Sequence, residues 1–349
     1  SKRQNLELIA HLMRRAGFGA SLREVRDLAK LSYEGVVNKL LYPQDSNWIG
    51  EYMTRRFDNE ASGMINPGGS ARRWLYRMIT SDTPLIEKIP LFWHGIFATG
   101  VPKVINGRVL SDQIDMFRKH GMECFDDLLL SLAKNPAMIV WLDNQENHKD
   151  SINENWGREL LELFSMGVGN YTENDIKECA RAFTGWAIGN SEYMMVRSRR
   201  DSDWPYGRIA YHFQYNPEDH DEEAKTFLGE TGNFNGKDII DIICRQESTA
   251  RFISRHLYHF FVKDEGPVSS WNETPPSDQK AVDILTQSYF DNDHDISKML
   301  VDLFNSEFFK SPSVWFKKVK SPTELAVGVL RVSGECDTPH RVMFSRHQQ

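Results

Sequence analysis

The strongest candidate for chemistry is a helical segment that carries two acidic side chains one turn apart. Residues 153–167 have the strongest helical pattern in the chain, and Glu159 and Glu162 lie three positions apart within them. Side chains at i and i+3 share one side of an α-helix, so both carboxylates can reach one metal ion or flank one substrate. Asn155 lies on the same polar stripe. We therefore predict catalytic roles for the two glutamates and a substrate contact for Asn155.

The same helix also permits a purely structural interpretation. Arg158 is four positions from both Glu154 and Glu162, so exposed ion pairs along a solvated face would explain the charges equally well. In the functional interpretation, Arg158 and Arg181 instead neutralise an anionic group of the substrate. The helix alone leaves both interpretations open.

Two histidines are candidate metal ligands, although each has a structural alternative. His94 lies inside an aromatic, apolar helical segment, where a histidine is more often a core residue than a ligand. His220 and Asp221 lie in an irregular polar stretch shortly before Lys225. Loop histidines beside carboxylates are common in metal and acid–base sites. We predict that His94, His220 and Glu159 ligate a divalent metal of unspecified identity, with Asp221 catalytic and Lys225 in contact with substrate.

A third group of candidates surrounds these elements. Asp143 and Asn144 end the short helix that begins near Pro136, where they either cap it or face a cleft. In the functional interpretation Asp143 is catalytic, and Asn144 contacts substrate. Trp93, next to the histidine of the aromatic segment, is a further candidate for substrate binding.

Other clusters are weaker candidates. His256 and His259 have an i, i+3 spacing that permits metal binding. Four arginines could meet a phosphate or sulfate, or could simply solvate a hairpin connection: Arg197, Arg199, Arg200 and Arg208. The four cysteines are too far apart for a zinc ribbon or a dense disulfide framework, and two of them have apolar helical surroundings typical of buried thiols: Cys124, Cys179, Cys244 and Cys336.

Composition excludes several classes of protein. The 349 residues include 42 Lys and Arg against 49 Asp and Glu, a net charge of −7, which argues against a nucleic-acid-binding protein. No apolar stretch is long enough to predict a transmembrane helix, and the first residues lack the apolar core of a signal peptide. The chain also lacks HExxH, GxSxG, Walker and GxGxxG motifs, so the best-marked enzyme classes are not indicated.

Helices must position most of these residues. We predict a mainly α fold, a single multi-helix domain over residues 1–349. Residues 187–235 are predicted as a loop-rich β insertion, with a hairpin near 190–216 formed by Tyr193–Val196 and Ile209–Tyr215. Beyond three helices in the first 43 residues, helical patterns cover approximately 70–81, 84–98, 122–143 with a break, 153–167, 172–186, 237–246, 248–262, 278–290, 295–304 and 321–333.

The combined motifs resemble one bacterial family, catalogued as domain of unknown function 1800. The resemblance spans about residues 8 to 333. It is carried by Arg14–Gly19, Phe92–His94, Asn135–Met138, Leu142–Asn144, Asn153–Asn155, Arg158–Phe164, Gly169–Glu173, Ala180–Trp186, His220 and Asp221 with Lys225, and Lys320–Pro322.

The resemblance implies a bacterial source and one family-length domain, and it supplies no activity. Genes of this family often accompany proteins that look like sulfatases or alkaline phosphatases, and many members look exported. It therefore implies a sulfatase- or phosphatase-like partner and a periplasmic or extracellular location. This chain departs from the family pattern at His256, His259 and Cys124, so we do not expect metal binding at the two histidines.

Two classes of function remain open from the sequence. The first is a hydrolase with metal-assisted or paired-carboxylate chemistry on an anionic or glycan substrate. The second is a non-catalytic glycan-binding or partner protein, in which tryptophans and tyrosines stack on sugars. A metal-dependent oxidoreductase would require the same histidines and carboxylates as the first class.

Overall fold

A computed structural model describes residues 2–44, 68–104, 106–189 and 211–334. These residues form sixteen α-helices and two small antiparallel sheets, which confirms the mainly α fold class. Within the described ranges, every helix falls short of the length and apolarity needed to cross a membrane.

The helices follow the predicted pattern with changes at their ends. In chain order they are α1 (Lys2–Ala16), α2 (Leu22–Leu28), α3 (Tyr33–Leu41), α4 (Gly68–Thr80), α5 (Pro84–Ile96), α6 (Gly107–His120), α7 (Phe125–Ala133), α8 (Pro136–Trp141), α9 (Asn155–Glu162), α10 (Glu173–Ala182), α11 (Gly236–Cys244), α12 (Glu247–Phe261), α13 (Gln279–Asp291), α14 (Ile296–Asn305), α15 (Glu307–Lys310) and α16 (Pro322–Ser333). The strands are β1 (Trp186–Gly189), β2 (His212–Tyr215), β3 (Lys225–Phe227) and β4 (Glu230–Gly232).

Local capping explains where several helices begin. The Ser21 side chain accepts a hydrogen bond from the backbone of Glu24, which returns one, and Thr172 and Asp175 form the same capping box at the start of α10. Helix α10 ends at Ala182 rather than near residue 186, because Gly185 adopts a φ of 75° and β1 begins directly after it.

A small β-hairpin is present, as predicted, and the strand paired with its second strand begins before the predicted range. Its second strand, β2, falls within the predicted segment, but its first strand is β1, with Trp186 opposite Tyr215. The predicted strand Tyr193–Val196 lies outside the described residues. The second sheet, β3 paired with β4, was not predicted, because each of its strands has only three residues and gives almost no periodic signal.

Aromatic side chains dominate the main hydrophobic core. Trp93 lies at its centre, stacked parallel to Phe97 at 5.2 Å between ring centroids and close to Phe125 at 5.8 Å. This core takes buried residues from most of the helices between α1 and α15. Cys179 and Cys244 are fully buried in it, which confirms their prediction as buried thiols.

A buried ionic network joins helices α1, α5, α12 and α16. The Lys88 ammonium on α5 donates to a Glu324 carboxylate oxygen on α16 at 2.6 Å and to the Gly17 carbonyl at 2.8 Å. Arg15, on α1, lies 4.0 Å from the same carboxylate and donates to the last carbonyls of α12, including that of Phe261 at 2.9 Å. Because these groups have almost no contact with water, each charge depends on its partners for compensation.

The carboxylate of Glu324 anchors this network and carries its pH dependence. Burial alone would raise its pKa, but the neighbouring Lys88 and Arg15 outweigh burial and lower the pKa of Glu324 from 4.5 to about 2. A carboxyl group with a depressed pKa in the folded state stabilises the protein above its unfolded pKa. That stabilisation is lost as the pH falls from 4.5 towards 2.

We expect Glu324→Gln to lower the free energy of unfolding at pH 7 by about 3 kcal/mol, because it leaves the Lys88 ammonium buried without a counter-charge. The measurement is urea denaturation from pH 7 down to pH 2. The loss of stability that accompanies protonation of Glu324 between pH 4.5 and 2 should be absent from the variant, because glutamine does not titrate.

The control is Glu307→Gln, which alters a side chain that is 93% exposed. We expect it to change the free energy of unfolding by less than about 0.5 kcal/mol. A Glu324→Gln protein as stable as the parent at pH 7 would contradict the importance of the buried network.

Candidate functional site

Glu162 lies at the end of α9, on the wall of a pocket of about 520 Å³. Helix α9 ends here because the backbone turns: Met166 and Gly167 both donate to the carbonyl of Leu161. This turn leaves Glu162 half-buried, and its carboxylate accepts a hydrogen bond from the Tyr171 hydroxyl at 3.3 Å. Of the catalytic carboxylates predicted from the sequence, Glu162 is the one that lines this pocket.

Glu159 lies one turn back on the same helix and does not line the pocket. Its Oε2 atom is buried and makes no hydrogen bond among the described residues. Burial and the adjacent Glu162 carboxylate both raise the pKa of Glu159. Glu159 therefore keeps its proton to a higher pH than an exposed glutamate does.

Three further elements complete the pocket. Helix α12, the start of α13 and the loop between them all contribute lining residues. The lining combines two aromatic side chains, apolar carbons, three charged groups and several hydroxyl and amide groups: Glu162, Leu163, Met166, Gly167, Val168, Asn170, Ser248, Arg251, Phe252, Arg255, Val268, Ser269, Trp271, Asn272, Pro276, Gln279 and Val282. Such a mixture suits a ligand that has both apolar faces and polar edges.

Gly167 is required where the backbone turns into the pocket wall. Its φ of 77° is in the left-handed region, and a Cβ atom there would lie 3.0 Å from the Phe252 ring. Only glycine satisfies both constraints without strain. The glycine that closes the predicted 153–167 helix therefore brings this turn against α12.

Arg255 holds the loop between α12 and α13 in place. Its guanidinium is buried, pairs with Glu265 at 2.9 Å, and donates to the carbonyls of Trp271, Thr274 and Pro275. It also lies 4.5 Å from the centroid of the Trp271 ring. One side chain thus fixes both the path of the loop and the orientation of the tryptophan.

The remaining cations near the pocket are already paired with carboxylates. Arg251 contacts Glu247 at 2.9 Å and Asp283 at 2.8 Å. Arg158 makes a two-pronged contact with Glu173, with distances of 3.1 and 2.8 Å. Hydrogen bonding to Glu173 accordingly raises the pKa of Arg158. Arg158 also lies 3.6 Å from Glu154. This is one of the ion pairs that the structural interpretation of the helix predicts.

The predicted His220 loop is built around Arg181. Its guanidinium pairs with Asp221 at 2.7 Å and with Glu178 at 3.0 Å. Burial alone would raise the pKa of Asp221, but hydrogen bonds from Arg181 outweigh it, so that pKa is lowered. The buried Lys225 ammonium donates to the backbone carbonyls of Asp221 and Glu223, and burial lowers its pKa. These charges bind the loop to α10.

His220 itself is buried beneath this loop. Its Nδ1 atom lies 2.9 Å from the Thr184 carbonyl oxygen and 3.3 Å from the hydroxyl of the same residue. The ring also makes an edge contact with Tyr215, at 5.7 Å between centroids. The structure thus places this histidine in a local packing role, next to the β1–β2 hairpin.

The asparagine-rich connection before α9 forms a polar network with the backbone. The Asn144 amide donates to the carbonyls of Trp186, at 2.8 Å, and Phe183, while that of Asn155 donates to the carbonyl of Leu142 at 3.1 Å. Asp143 adopts a left-handed φ of 57° and contacts the Lys103 ammonium at 2.6 Å. None of the predicted residues in this connection lines the pocket beside Glu162.

The aromatic segment on α5 is packed as core. Trp93 is fully buried, and its indole nitrogen donates to the Gly121 carbonyl at 2.7 Å, so it presents no surface to a substrate. His94 contacts Trp74 edge-on at 5.6 Å, and burial lowers its pKa. The packing of these two residues matches the structural alternative considered for the segment.

The structure does not gather the predicted metal ligands. Within the described ranges, one group of three or more potential ligands has its ligand atoms within 4.8 Å of one another: Cys124, Asp126 and His294. His94, His220 and Glu159 are not part of such a group. No sequence motif indicated this set, because about 170 positions separate His294 from the other two residues.

Arg251, Arg255 and Trp271 were also missed as site residues. Their positions on α12 and the following loop carry no motif, and only the packing of α12 against the end of α9 brings them to Glu162. The local signal that existed was the proline- and glycine-containing segment 264–277, which predicted a loop but not its contacts.

We expect Arg255→Lys to loosen the loop between α12 and α13. One ammonium cannot replace a guanidinium that pairs with Glu265 and donates to three carbonyls. Limited proteolysis, read by mass spectrometry, should show cleavage within 266–276 about tenfold faster, equivalent to about 1.4 kcal/mol of easier local opening.

The matched control is Arg251→Lys, on the same helix, which changes only half-exposed surface pairs. It should leave the cleavage rate within about twofold of the parent. Equal cleavage rates in both variants would show that Arg255 does not hold the loop.

Comparison with known proteins identifies the family. Searches of curated proteins and of solved structures gave no significant match. The family model described as "Protein of unknown function (DUF1800)" matches residues 11–349, which is nearly the whole chain. The predicted resemblance is thereby confirmed, and the chain belongs to the DUF1800 family.

Proposed function

We propose that this protein is a hydrolase-type enzyme that acts on a glycan in the pocket beside Glu162. The observation that carries the proposal is the position of Glu162, a carboxylate on the wall of a 520 Å³ pocket that also contains Trp271. Among the described residues, Glu162 has no cation within ion-pair distance. Its charge therefore remains available to a bound ligand.

The pairing of the arginines favours a neutral glycan over an anionic substrate. The two arginines on the pocket wall, Arg251 and Arg255, are both engaged with carboxylates. The arginines predicted to bind an anion, Arg158 and Arg181, are engaged in the same way. An anionic group would have to compete with these pairs, whereas sugar hydroxyls can use the serine, asparagine and carboxylate groups of the lining.

The two glutamates of α9 suit acid–base chemistry with unequal carboxyl groups. Glu162 reaches the pocket and would act as the base or nucleophile. Glu159, with its raised pKa, would keep its proton to a higher pH than an exposed glutamate does, and in that form it would not repel the Glu162 carboxylate. We assign Glu162 the catalytic role and Glu159 a positioning role, since Glu159 does not line the pocket. The metal-assisted form of hydrolysis is not preferred, because the predicted histidine ligands are not gathered with Glu159 among the described residues.

A glycan-binding module is the second candidate, and Trp271 favours it. Aromatic rings beside hydroxyl and amide groups bind sugars without catalysis. A sulfatase- or phosphatase-like partner and an exported location stay predictions from the family resemblance. Nucleic acid is not proposed as a ligand, given the net charge of −7.

We expect Glu162→Gln to lower turnover by about 10²- to 10⁴-fold with little change in KM, because it removes a catalytic carboxylate and keeps its shape. The assay measures reducing ends released from neutral gluco-, manno- and xylo-oligosaccharides. Polyuronates and sulfated glycans form the comparison panel. The control, Glu307→Gln, alters an exposed glutamate outside the pocket and should keep full activity.

The outcomes separate the two functions. Oligosaccharide binding without turnover, unchanged in Glu162→Gln, would favour the binding module. Preferential turnover of the anionic panel would overturn the choice of a neutral glycan. Neither binding nor turnover of any panel member would reject both proposals.

We expect Glu159→Gln to change the pH profile rather than abolish activity. The parent enzyme should lose activity as the pH rises through the raised pKa of Glu159, because the second carboxylate then becomes charged. Glutamine is permanently neutral, so the variant should lack this alkaline decline. The measurement is kcat against pH for both proteins, and an identical alkaline decline would exclude the proposed role of Glu159.

A further inference from the structure

Three side chains of different chemistry converge at the start of α7. The Cys124 thiol donates to an Asp126 carboxylate oxygen at 3.3 Å, and His294 Nδ1 lies 2.6 Å from the same oxygen. One ligand atom from each residue lies within 4.8 Å of the other two. All three side chains are partly exposed, so the group can be reached from solvent.

The backbone holds the two contributing segments together. Cys124 forms an antiparallel bridge with Asp295, and the Phe125 N–H donates to the His294 carbonyl at 3.0 Å. The His294 ring stacks on Tyr289, with centroids 4.2 Å apart and planes inclined by 18°. The imidazole is therefore fixed by contacts independent of its bond to Asp126.

The loop that presents the histidine adopts an unfavourable backbone conformation. Asp293 and His294 have φ values of 51° and 63°, in the left-handed region, and neither is glycine. The surrounding contacts maintain this conformation, which directs the imidazole towards the carboxylate of α7.

We propose that Cys124, Asp126 and His294 form a binding site for a divalent transition-metal ion of the zinc class. Thiolate sulfur, imidazole nitrogen and carboxylate oxygen are the protein ligands that zinc uses. A thiolate, a carboxylate and a neutral imidazole carry two negative charges in total, which balance a divalent cation. Three protein ligands would leave a fourth tetrahedral position for water.

The distances suit this assignment after a small movement. Tetrahedral zinc, with ligand bonds of about 2.0–2.3 Å, keeps its sulfur, nitrogen and oxygen ligands roughly 3.3–3.8 Å apart. The sulfur and carboxylate oxygen are already 3.3 Å apart. The imidazole nitrogen, at 2.6 Å from that oxygen, would move by about 1 Å as the ion takes the place of the shared proton.

The arrangement is a poor match for a nucleophilic cysteine. A catalytic thiol needs a neighbouring base that accepts its proton, usually histidine. Here the thiol donates to a carboxylate, which the histidine also contacts. Burial raises the pKa of Cys124 to about 11, whereas reactive thiols have lowered pKa values. Metal binding would displace the thiol proton to solvent and leave the sulfur as thiolate.

The experiment uses the full chain, purified without immobilised nickel and stripped with a chelator that is then removed. Co²⁺ is titrated first, because thiolate ligation produces an intense near-ultraviolet charge-transfer band. Zn²⁺ is then titrated in competition with a chromophoric indicator. We expect one ion per chain and a thiolate–cobalt band that zinc abolishes.

Two variants and one matched control identify the ligands. Cys124→Ser should abolish the charge-transfer band, and Cys124→Ser and His294→Gln should each weaken zinc affinity by about 100-fold or more. The control is His120→Gln, which alters another histidine–carboxylate contact of 2.6 Å, with Glu123, that belongs to no group of three close ligand atoms among the described residues. It should leave both measurements unchanged.

The proposal is overturned if the parent protein shows no thiolate–cobalt band, or if Cys124→Ser retains the band and the zinc affinity. Circular dichroism of each variant establishes that a loss of binding is not a loss of folding. None of the three residues lines the pocket beside Glu162, so this proposal stands independently of the proposed hydrolase.

Discussion

The buried contact between Lys88 and Glu324 is the constraint on which the rest of the fold depends. It joins α5 to α16, and through Arg15 it also holds the end of α12 against α1. Burying these charges separately would cost several kcal/mol each, so the helices gain compensation only when all are in place. A second buried carboxylate, Glu87, is compensated in the same way, by Arg77 on α4 and Arg118 on α6. Ionic contacts thus add orientation to an otherwise apolar helical core.

Compensation of buried polar groups also explains why several charged residues, either predicted as site residues or lining the pocket, make structural contacts. Arg181 and Arg255 each hold a loop against a helix by binding carboxylates and backbone carbonyls, and Lys225 binds two backbone carbonyls of the loop that precedes it. A loop carries many backbone groups without partners, and a long cation can satisfy two or three of them at once. What distinguishes Glu162 from these residues is its position on an open pocket without a cation in contact among the described residues.

The two proposed sites use the helical framework in different ways. The pocket forms where α9 stops early, so that its last carboxylate, the backbone of Gly167 and helix α12 meet. The thiol–imidazole–carboxylate group forms where the start of α7 meets the loop before α14. In both, helix ends supply the functional side chains, because backbone direction changes there and side chains from separate elements can converge.

The sequence by itself determined the helical class, the starts of helices with strong caps, the buried thiols and the family. These properties are encoded locally, in apolar periodicity, in caps such as Ser21 and Thr172, and in contiguous motifs. It also singled out the α9 glutamates, because their spacing alone places them side by side. Only the tertiary structure decided that Glu162 reaches a pocket and that Cys124 meets His294. Contacts between residues far apart in sequence arise from the packing of whole helices, and a single sequence carries no local signal of them.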